Sequence, residues 1–223
     1  MEKSPYAVIT KIEGRVKVLP ADSIKKHNAL KDELLYKGDK IITYAGARVL
    51  IELADSSKVV LDEKAELTLV DHERLDQASG EIYYKIKQRS ASQGLSVKTP
   101  FSIIGIKGTE FIVNTAQGGE IALNEGLVGV ASLHAEFELH KKKMMADYEA
   151  FKSKQMQEFE AYKAQANDEV VTYVKTFDLQ SNRLLRFGDA SDCEAACESK
   201  VDEYDFTDET KKRFTYYQEM IEE

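Results

Sequence analysis

The sequence lacks any long apolar run, and this absence excludes one class of protein. Its longest apolar stretches, such as 121–123 and 128–131, are only a few residues long, whereas a helix that crosses a bilayer needs about 20. The chain has 223 residues, of which 43% are hydrophobic and 31% are charged. This composition is typical of a globular protein and not of a disordered one. We therefore expect a folded protein without a membrane-spanning segment.

Glycine and proline are almost absent from the second half of the chain. Eleven of the 12 glycines and all three prolines precede residue 130. These residues punctuate strands and turns but break helices. The pattern predicts a β-rich first half and a mostly helical second half, with a boundary near residue 133.

Positive charge is also scarce in the second half. Residues 1–133 hold 18 basic and 18 acidic side chains, while residues 134–223 hold 13 and 21, so the net charge of −8 lies wholly in the second half. Nucleic-acid binding depends on Lys and Arg at the phosphates. The charge distribution therefore argues against a nucleic-acid partner.

Residues that carry catalysis or bind metals are few. The only cysteines are Cys193 and Cys197, and neither a second pair nor a neighbouring histidine completes a zinc site. They form either a local disulfide in an oxidising compartment or two free thiols beside acidic residues, an environment unsuited to a nucleophile. No phosphate-binding loop, nucleophile elbow or zinc-protease motif occurs. We predict a non-catalytic protein with no cofactor and no metal.

Short stretches rich in β-branched residues recur between residues 5 and 133 at the spacing of all-β folds. The runs Arg15–Val18 and Glu66–Leu69 alternate between apolar and polar residues, as a pleated strand requires. Asp55-Ser56-Ser57 separates two further strand-like runs, so this region predicts a hairpin.

The densest motif contains Thr99-Pro100, followed by Gly105-Ile106-Lys107-Gly108-Thr109-Glu110-Phe111. Proline cannot donate to a sheet and the glycines interrupt the β-branched run, so the strand must bend or bulge here. The motif resembles the Thr-Pro and Val-Arg-Gly-Thr-x-Phe signature of FecR-family periplasmic domains, although Lys107 stands where the family often has Arg. Other family features follow in order: Glu13-Gly14 with Val16 and Val18, Gly38-Asp39 before Ile41, and Glu125-Gly126 with Val128 and Val130.

The resemblance implies a β-sandwich or β-helix-like roll over residues 5–133, a periplasmic location and a role in sensing or relaying a signal by protein contact. Because the chain begins almost directly at the first strand, we expect a sensor-side domain whose export segment is absent from this chain. The bend itself is either structural or a docking edge for another protein. We favour a structural role for its residues, namely Thr99, Pro100, Gly105, Lys107, Gly108, Thr109 and Phe111.

An 11-residue repeat begins at Glu136 and places aromatic residues on one helical face. It predicts one long amphipathic helix over residues 134–176. Its apolar stripe either packs on the β domain or faces a partner helix or a second copy of the chain. Val170–Val174 has β character, so the helix could instead end near Asn167-Asp168. The candidate partner-facing residues are Phe137, Met144, Tyr148, Phe151, Phe159 and Tyr162.

For residues 177–223 we predict a hairpin or loop, an acidic segment and a terminal helix. Thr207 is a candidate N-cap, and Phe214, Tyr217 and Ile221 mark one face of that helix. We expect this face to pack against the long helix.

The function we predict is that of a periplasmic binding module that contacts another envelope protein or a second copy of itself. Two alternatives remain. A cell-wall or glycan-binding module would use exposed tyrosines, such as Tyr44, Tyr83 and Tyr84, as stacking platforms. A structural oligomer would instead be built through the long helix.

Overall fold

The β-branched stretches form 20 strands in the part of the chain that the computed structural model describes, residues 4–88, 94–116, 118–133, 136–142, 169–188 and 200–222. The strands are β1 (Ala7–Glu13), β2 (Val16–Leu19), β3 (His27–Asn28), β4 (Leu34–Leu35), β5 (Lys40–Thr43), β6 (Arg48–Leu53), β7 (Lys58–Leu61), β8 (Glu66–Asp71), β9 (Arg74–Ser79), β10 (Glu81–Ile86), β11 (Leu95–Lys98), β12 (Ile103–Ile106), β13 (Thr109–Asn114), β14 (Glu120–Glu125), β15 (Leu127–Ala131), β16 (Phe137–Lys142), β17 (Glu169–Val174), β18 (Thr176–Gln180), β19 (Arg183–Phe187) and β20 (Lys200–Asp205). One helix follows, α1 (Asp208–Glu222).

The strands form two sheets. Sheet 1 has the order β17-β16-β20-β19-β14-β13-β10-β7-β6-β1-β4, and sheet 2 has the order β18-β15-β12-β11-β9-β8-β5-β2-β3. Hairpins stay within one sheet, as in β6–β7 and β8–β9, and the chain then crosses to the other sheet. The Asp55 hairpin is confirmed, and the Ser57 backbone N–H donates to Asp55 Oδ1 over 3.0 Å.

The main core lies between the two sheets and is built from side chains of alternating strand positions. It includes Ile51 and Leu61 from sheet 1 and Leu67 and Val97 from sheet 2, all with no measurable exposure. The two sheets thus pack face to face around one shared core.

A third layer covers part of sheet 1. Helix α1 packs on its outer face, so the central strands β6, β7 and β10 are buried on both sides. This explains why the run that contains Tyr83 and Tyr84 alternates imperfectly in the sequence: Tyr84 faces the main core and Tyr83 faces the helix. The helix begins as predicted, because the Thr210 N–H donates to Thr207 Oγ1 over 3.2 Å.

The prediction of a long amphipathic helix over residues 134–176 is wrong. Both ends of that segment are strands: β16 and β17 pair antiparallel, with Phe137 opposite Val174 and Lys142 opposite Glu169. In β16, Phe137 and Leu139 are both buried, which is the two-residue period of a strand. The alternative interpretation of Val170–Val174 as β structure is confirmed. Residues 143–168 lie outside the described part of the chain.

The prediction of a mostly helical second half is wrong for the same reason. After residue 133, the described residues form five strands and one helix of 15 residues. Strand β19 pairs with β14, and β18 pairs with β15, so this part of the chain extends the two sheets. Strands β18 and β19 lie in different sheets and do not pair as a hairpin. The predicted contact of the last helix with a long helix is replaced by contact with sheet 1.

Candidate functional site

The Thr99-Pro100 pair lies in the tight turn between β11 and β12. Thr99 is 2% exposed, and its hydroxyl oxygen accepts hydrogen bonds from the N–H groups of Ser102 (2.9 Å) and Phe101 (3.3 Å). The Thr99 N–H donates to the Ser102 carbonyl over 2.9 Å. Pro100 is exposed and needs no donor there. The side chain of Thr99 thus supplies the acceptor that this turn requires.

The Gly-Ile-Lys-Gly-Thr-Glu-Phe motif carries the chain from sheet 2 to sheet 1. Gly108 has φ +94°, and a Cβ there would lie 2.6 Å from Gln88 Cα, so only glycine fits. The chain crosses back from sheet 1 to sheet 2 at Gly126, which has φ +97°. A Cβ added there would lie 2.6 Å from the Gly108 carbonyl oxygen. Lys107 is exposed at the crossing and Thr109 is buried beyond it. Phe111 stacks on Tyr84 in the main core, with ring centroids 4.8 Å apart.

The motif offers no free strand edge. β12 pairs with β11 on one side and with β15 on the other, and β13 pairs with β10 and β14. Gly105 lies in the middle of β12 on the outer face of sheet 2, where it is exposed. The interpretation of the bend as a docking edge is therefore wrong at these backbone positions.

The outer face of sheet 1 presents an apolar row to helix α1. The row is formed by directly opposed residues on six adjacent strands, which are Leu50, Val60, Tyr83, Ile112, Ala122 and Leu184. Phe214 and Tyr217 of the helix pack on Tyr83, with ring centroids 6.2 and 5.3 Å away. The predicted helix face of Phe214, Tyr217 and Ile221 is confirmed as buried.

A charged contact borders the apolar row. Arg213 of α1 donates from Nη2 to Glu81 Oε2 and from Nη1 to Glu120 Oε1, both over 2.6 Å. These side chains are 24%, 18% and 16% exposed, so the cluster is largely shielded from water. Burial lowers the pKa of Arg213, but the carboxylates of Glu81 and Glu120 outweigh it and raise the pKa above the ordinary value. The guanidinium therefore stays charged and holds the helix on the sheet.

Two tyrosine hydroxyls complete this layer. Tyr83 donates to Glu110 Oε1 over 2.7 Å, and the Tyr217 hydroxyl lies 2.8 Å from Glu81 Oε1 and 2.9 Å from Asp62 Oδ2. Burial, together with these carboxylates, raises the pKa of both tyrosines well above the ordinary value. Both hydroxyls remain protonated near neutral pH and act as hydrogen-bond donors, which is a structural role.

The sequence-predicted partner and ligand residues have mixed outcomes. Phe137 is buried against Phe177 and Phe187, with ring centroids 5.6 and 5.8 Å away, so it faces the main core. Tyr83 and Tyr84 are fully buried, and Tyr44 is half-buried under the Arg15 guanidinium, 4.4 Å from its ring centroid. The tyrosines proposed as exposed glycan platforms therefore do not form one. Cys193, Cys197 and the stripe residues Met144, Tyr148, Phe151, Phe159 and Tyr162 lie outside the described part of the chain.

The sequence analysis did not single out a group of exposed apolar side chains near the N-terminus. Ile24 is 97% exposed, Leu30 is 66% exposed and Leu34 is 48% exposed. These three account for half of the large exposed hydrophobic residues in the described part of the chain. They lie in the segment that joins β2 to β5, where the available signal was an apolar residue within a polar run, as in Asp22-Ser23-Ile24-Lys25.

Within the described residues, the structure contains no group of three or more His, Cys, Asp or Glu side chains placed to hold a metal ion. The same part of the chain has no helix that is long and apolar enough to span a membrane.

Comparison with known proteins gives one family match. The family model described as FecR protein matches residues 39–129, and no curated protein sequence matches the chain. Two crystal structures of a "putative anti-sigma factor" from Parabacteroides distasonis ATCC 8503 are similar to this chain, each with a TM-score of 0.48 and 10% sequence identity. The alignments cover 74% of this chain and 59% of those chains, so this chain spans less than two thirds of their length.

The family match covers both halves of the motif described above, the Thr99 turn and the Gly108 crossing. Residues 39–129 of this chain thus match the FecR family model, and the motif residues lie within that match.

Proposed function

We propose that this chain is a non-catalytic periplasmic module that takes part in sensing or regulation through contact with another envelope protein. The observation that carries the proposal is the FecR match over residues 39–129. The motif residues in that region support it, because Thr99, Gly108 and Phe111 serve the fold and none is positioned to act on a substrate.

The contact surface we propose is the segment that carries Ile24, Leu30 and Leu34. These three exposed apolar side chains lie in one short segment of the chain, and exposed apolar surface is typical of protein interaction sites. Leu30 lies in a turn. The Glu33 side chain accepts a hydrogen bond from the Leu30 N–H over 2.8 Å and also contacts His27 over 2.6 Å. These hydrogen bonds stabilise the turn, so Leu30 remains exposed to water.

In-cell photocrosslinking tests this proposal. The chain is produced with an export signal in a cell that carries its native partners, and a photoreactive amino acid replaces Ile24 or Leu30. We expect both positions to give the same discrete adduct from the periplasmic fraction. A photoreactive residue at Lys212, which is exposed on the far side of α1, serves as the matched control and should give no such adduct.

The variants Ile24→Asp and Leu30→Asp should abolish the adduct formed from the other position and leave the thermal unfolding midpoint unchanged. Adducts that persist in both variants, or that form equally from position 212, contradict the proposed surface. The location is tested with the protein expressed from its own gene, which should resist protease in intact cells and become sensitive in spheroplasts; resistance in both contradicts the periplasmic location.

A further inference from the structure

A row of directly paired residues crosses the outer face of sheet 2 between two opposite charges. Direct strand pairing sets the row, which consists of Arg74, Ser96, Gly105, Gly129 and Asp178. All five side-chain positions point away from the main core, because their strand neighbours Leu75, Val97, Ile104, Val128 and Leu179 are buried in it. Within the described residues, no element covers this face.

The fold does not require the two central glycines. Neither Gly105 nor Gly129 has a left-handed φ. A Cβ at Gly105 would come no closer than 3.8 Å to another atom, and one at Gly129 no closer than 3.7 Å, which are ordinary contacts. Glycine in a strand costs roughly 0.5–1 kcal/mol relative to alanine. Paired glycines with open space above them mark a place where another backbone approaches closely.

Large apolar side chains border the row on both sides. Ile103 precedes Gly105 by two residues and is 37% exposed, and Leu127 precedes Gly129 by two residues and is 50% exposed. Because β12 and β15 are antiparallel, these two side chains lie on opposite sides of the row. The two glycines, which carry no side chain, thus lie between two exposed apolar side chains on this face.

We propose that this face binds the same face of a second copy of the chain. A two-fold axis parallel to the strands near Gly105 places Arg74 of each copy opposite Asp178 of the other. Asp178 is exposed and has no ion pair among the described residues, and Arg74 is 49% exposed beside Asp76 at its Nε, 3.1 Å away. The row is therefore complementary to itself, as a two-fold interface requires.

The expected association is weak. The row spans five strands, which at about 4.8 Å between strands is about 20 Å. A patch of this width is at or below the lower limit of stable interfaces. We therefore expect a dimer that forms at concentrations of tens to hundreds of micromolar, an order-of-magnitude range typical of small interfaces.

Sedimentation velocity of the full chain over a concentration series tests the inference. The wild type should move from the mass of one chain to twice that mass. Gly129→Glu should raise the dimer dissociation constant by at least about tenfold. Gly94→Glu is the matched control, since Gly94 also has an ordinary φ and open space but lies outside the row, and it should leave dimerisation unchanged.

Charge reversal provides a second test that does not depend on folding of a glycine variant. Asp178→Arg alone should weaken association at least about tenfold, and Arg74→Asp combined with Asp178→Arg should restore it. A wild type that stays monomeric throughout overturns the inference. So does a dimer that Gly129→Glu leaves intact, because it must use another surface. Neither outcome bears on crosslinking from Ile24, so the proposed function is tested separately.

Discussion

The outer faces of the two sheets differ in what stabilises them. On sheet 1, helix α1 buries the apolar row that contains Tyr83, and Arg213 joins the helix to two carboxylates. On sheet 2, the face keeps glycines and a few exposed apolar side chains, and its ion pairs, such as Arg74 with Asp76, lie near water. The same kind of interaction should therefore contribute more on sheet 1 than on sheet 2, because burial weakens screening by solvent.

Alkaline pH should have the largest effect on sheet 1. Tyr83, Tyr84 and Tyr217 have pKa values raised by burial, while in the unfolded chain each titrates near 10. The contribution of these tyrosines to the free energy of unfolding is fully present below pH 10. It falls above pH 10, because only the unfolded state then releases these protons. Three tyrosines give a loss of about 4 kcal/mol per pH unit.

Urea unfolding between pH 9 and 11 measures this slope, and ultraviolet absorbance near 295 nm reports tyrosinate directly. Tyr217→Phe should reduce the slope by about 1.4 kcal/mol per pH unit. Early ionisation of all tyrosines in the folded chain, near pH 10, would be inconsistent with the buried layer.

Loss of the Arg213 contact should have the next largest effect. Arg213→Met leaves Glu81 shielded from water without a guanidinium partner, and it leaves Glu120 with Arg186 alone, whose Nε lies 3.3 Å away. We expect a loss of about 2–4 kcal/mol in the free energy of unfolding, less than for a fully buried pair because the cluster is partly exposed.

The control for this prediction is Arg74→Met on sheet 2, measured at low micromolar concentration. Its ion pair is exposed, so the loss should stay under about 1 kcal/mol. Equal losses from the two variants, measured by urea unfolding, would remove the distinction between the two faces.

The two glycines of the motif should respond in opposite directions. Gly108→Ala forces a Cβ toward Gln88 in a left-handed conformation, so we expect a loss of about 1–3 kcal/mol. Gly105→Ala has space and an ordinary φ, so it should stabilise the fold by about 0.4–1 kcal/mol. Thermal unfolding midpoints of the two variants check this, and a destabilised Gly105→Ala would show that sheet 2 needs glycine for the fold itself.

A further modest effect is expected at the end of the helix. Lys58 Nζ donates to the Ile221 carbonyl over 2.7 Å, where the helix leaves its last carbonyls without partners. Lys58→Met should cost about 0.5–1.5 kcal/mol. Lys85→Met, at the exposed residue opposite Lys58 in the neighbouring strand, is the control and should change stability less, as measured by urea unfolding.

Local patterns predicted several elements correctly. The alternation in Glu66–Leu69, the polar turn at Asp55 and the cap at Thr207 are each determined within a few residues, so sequence was sufficient. The family signature was recognisable for the same reason, since Thr99 and Gly108 satisfy demands of their own turns.

The long helix was mispredicted because short apolar segments are compatible with two periods. Phe137 and Leu139 fit a strand, while Phe137 and His140 also fit the repeat of a helix. Pairing of β16 with β17 and with β20 selects the strand, and those partners lie far away in the chain.

The sequence by itself determined the β character of the first half, the turns that punctuate it, its FecR signature and the apolar face of the last helix, because these depend on neighbours close in the chain. Only the tertiary structure decided that Arg213 lies on Glu81 and Glu120, that Tyr83 is buried, and that Gly105 and Gly129 share one open row. Such contacts join residues separated by tens of positions or more, and strand order and register, which no local pattern encodes, bring them together.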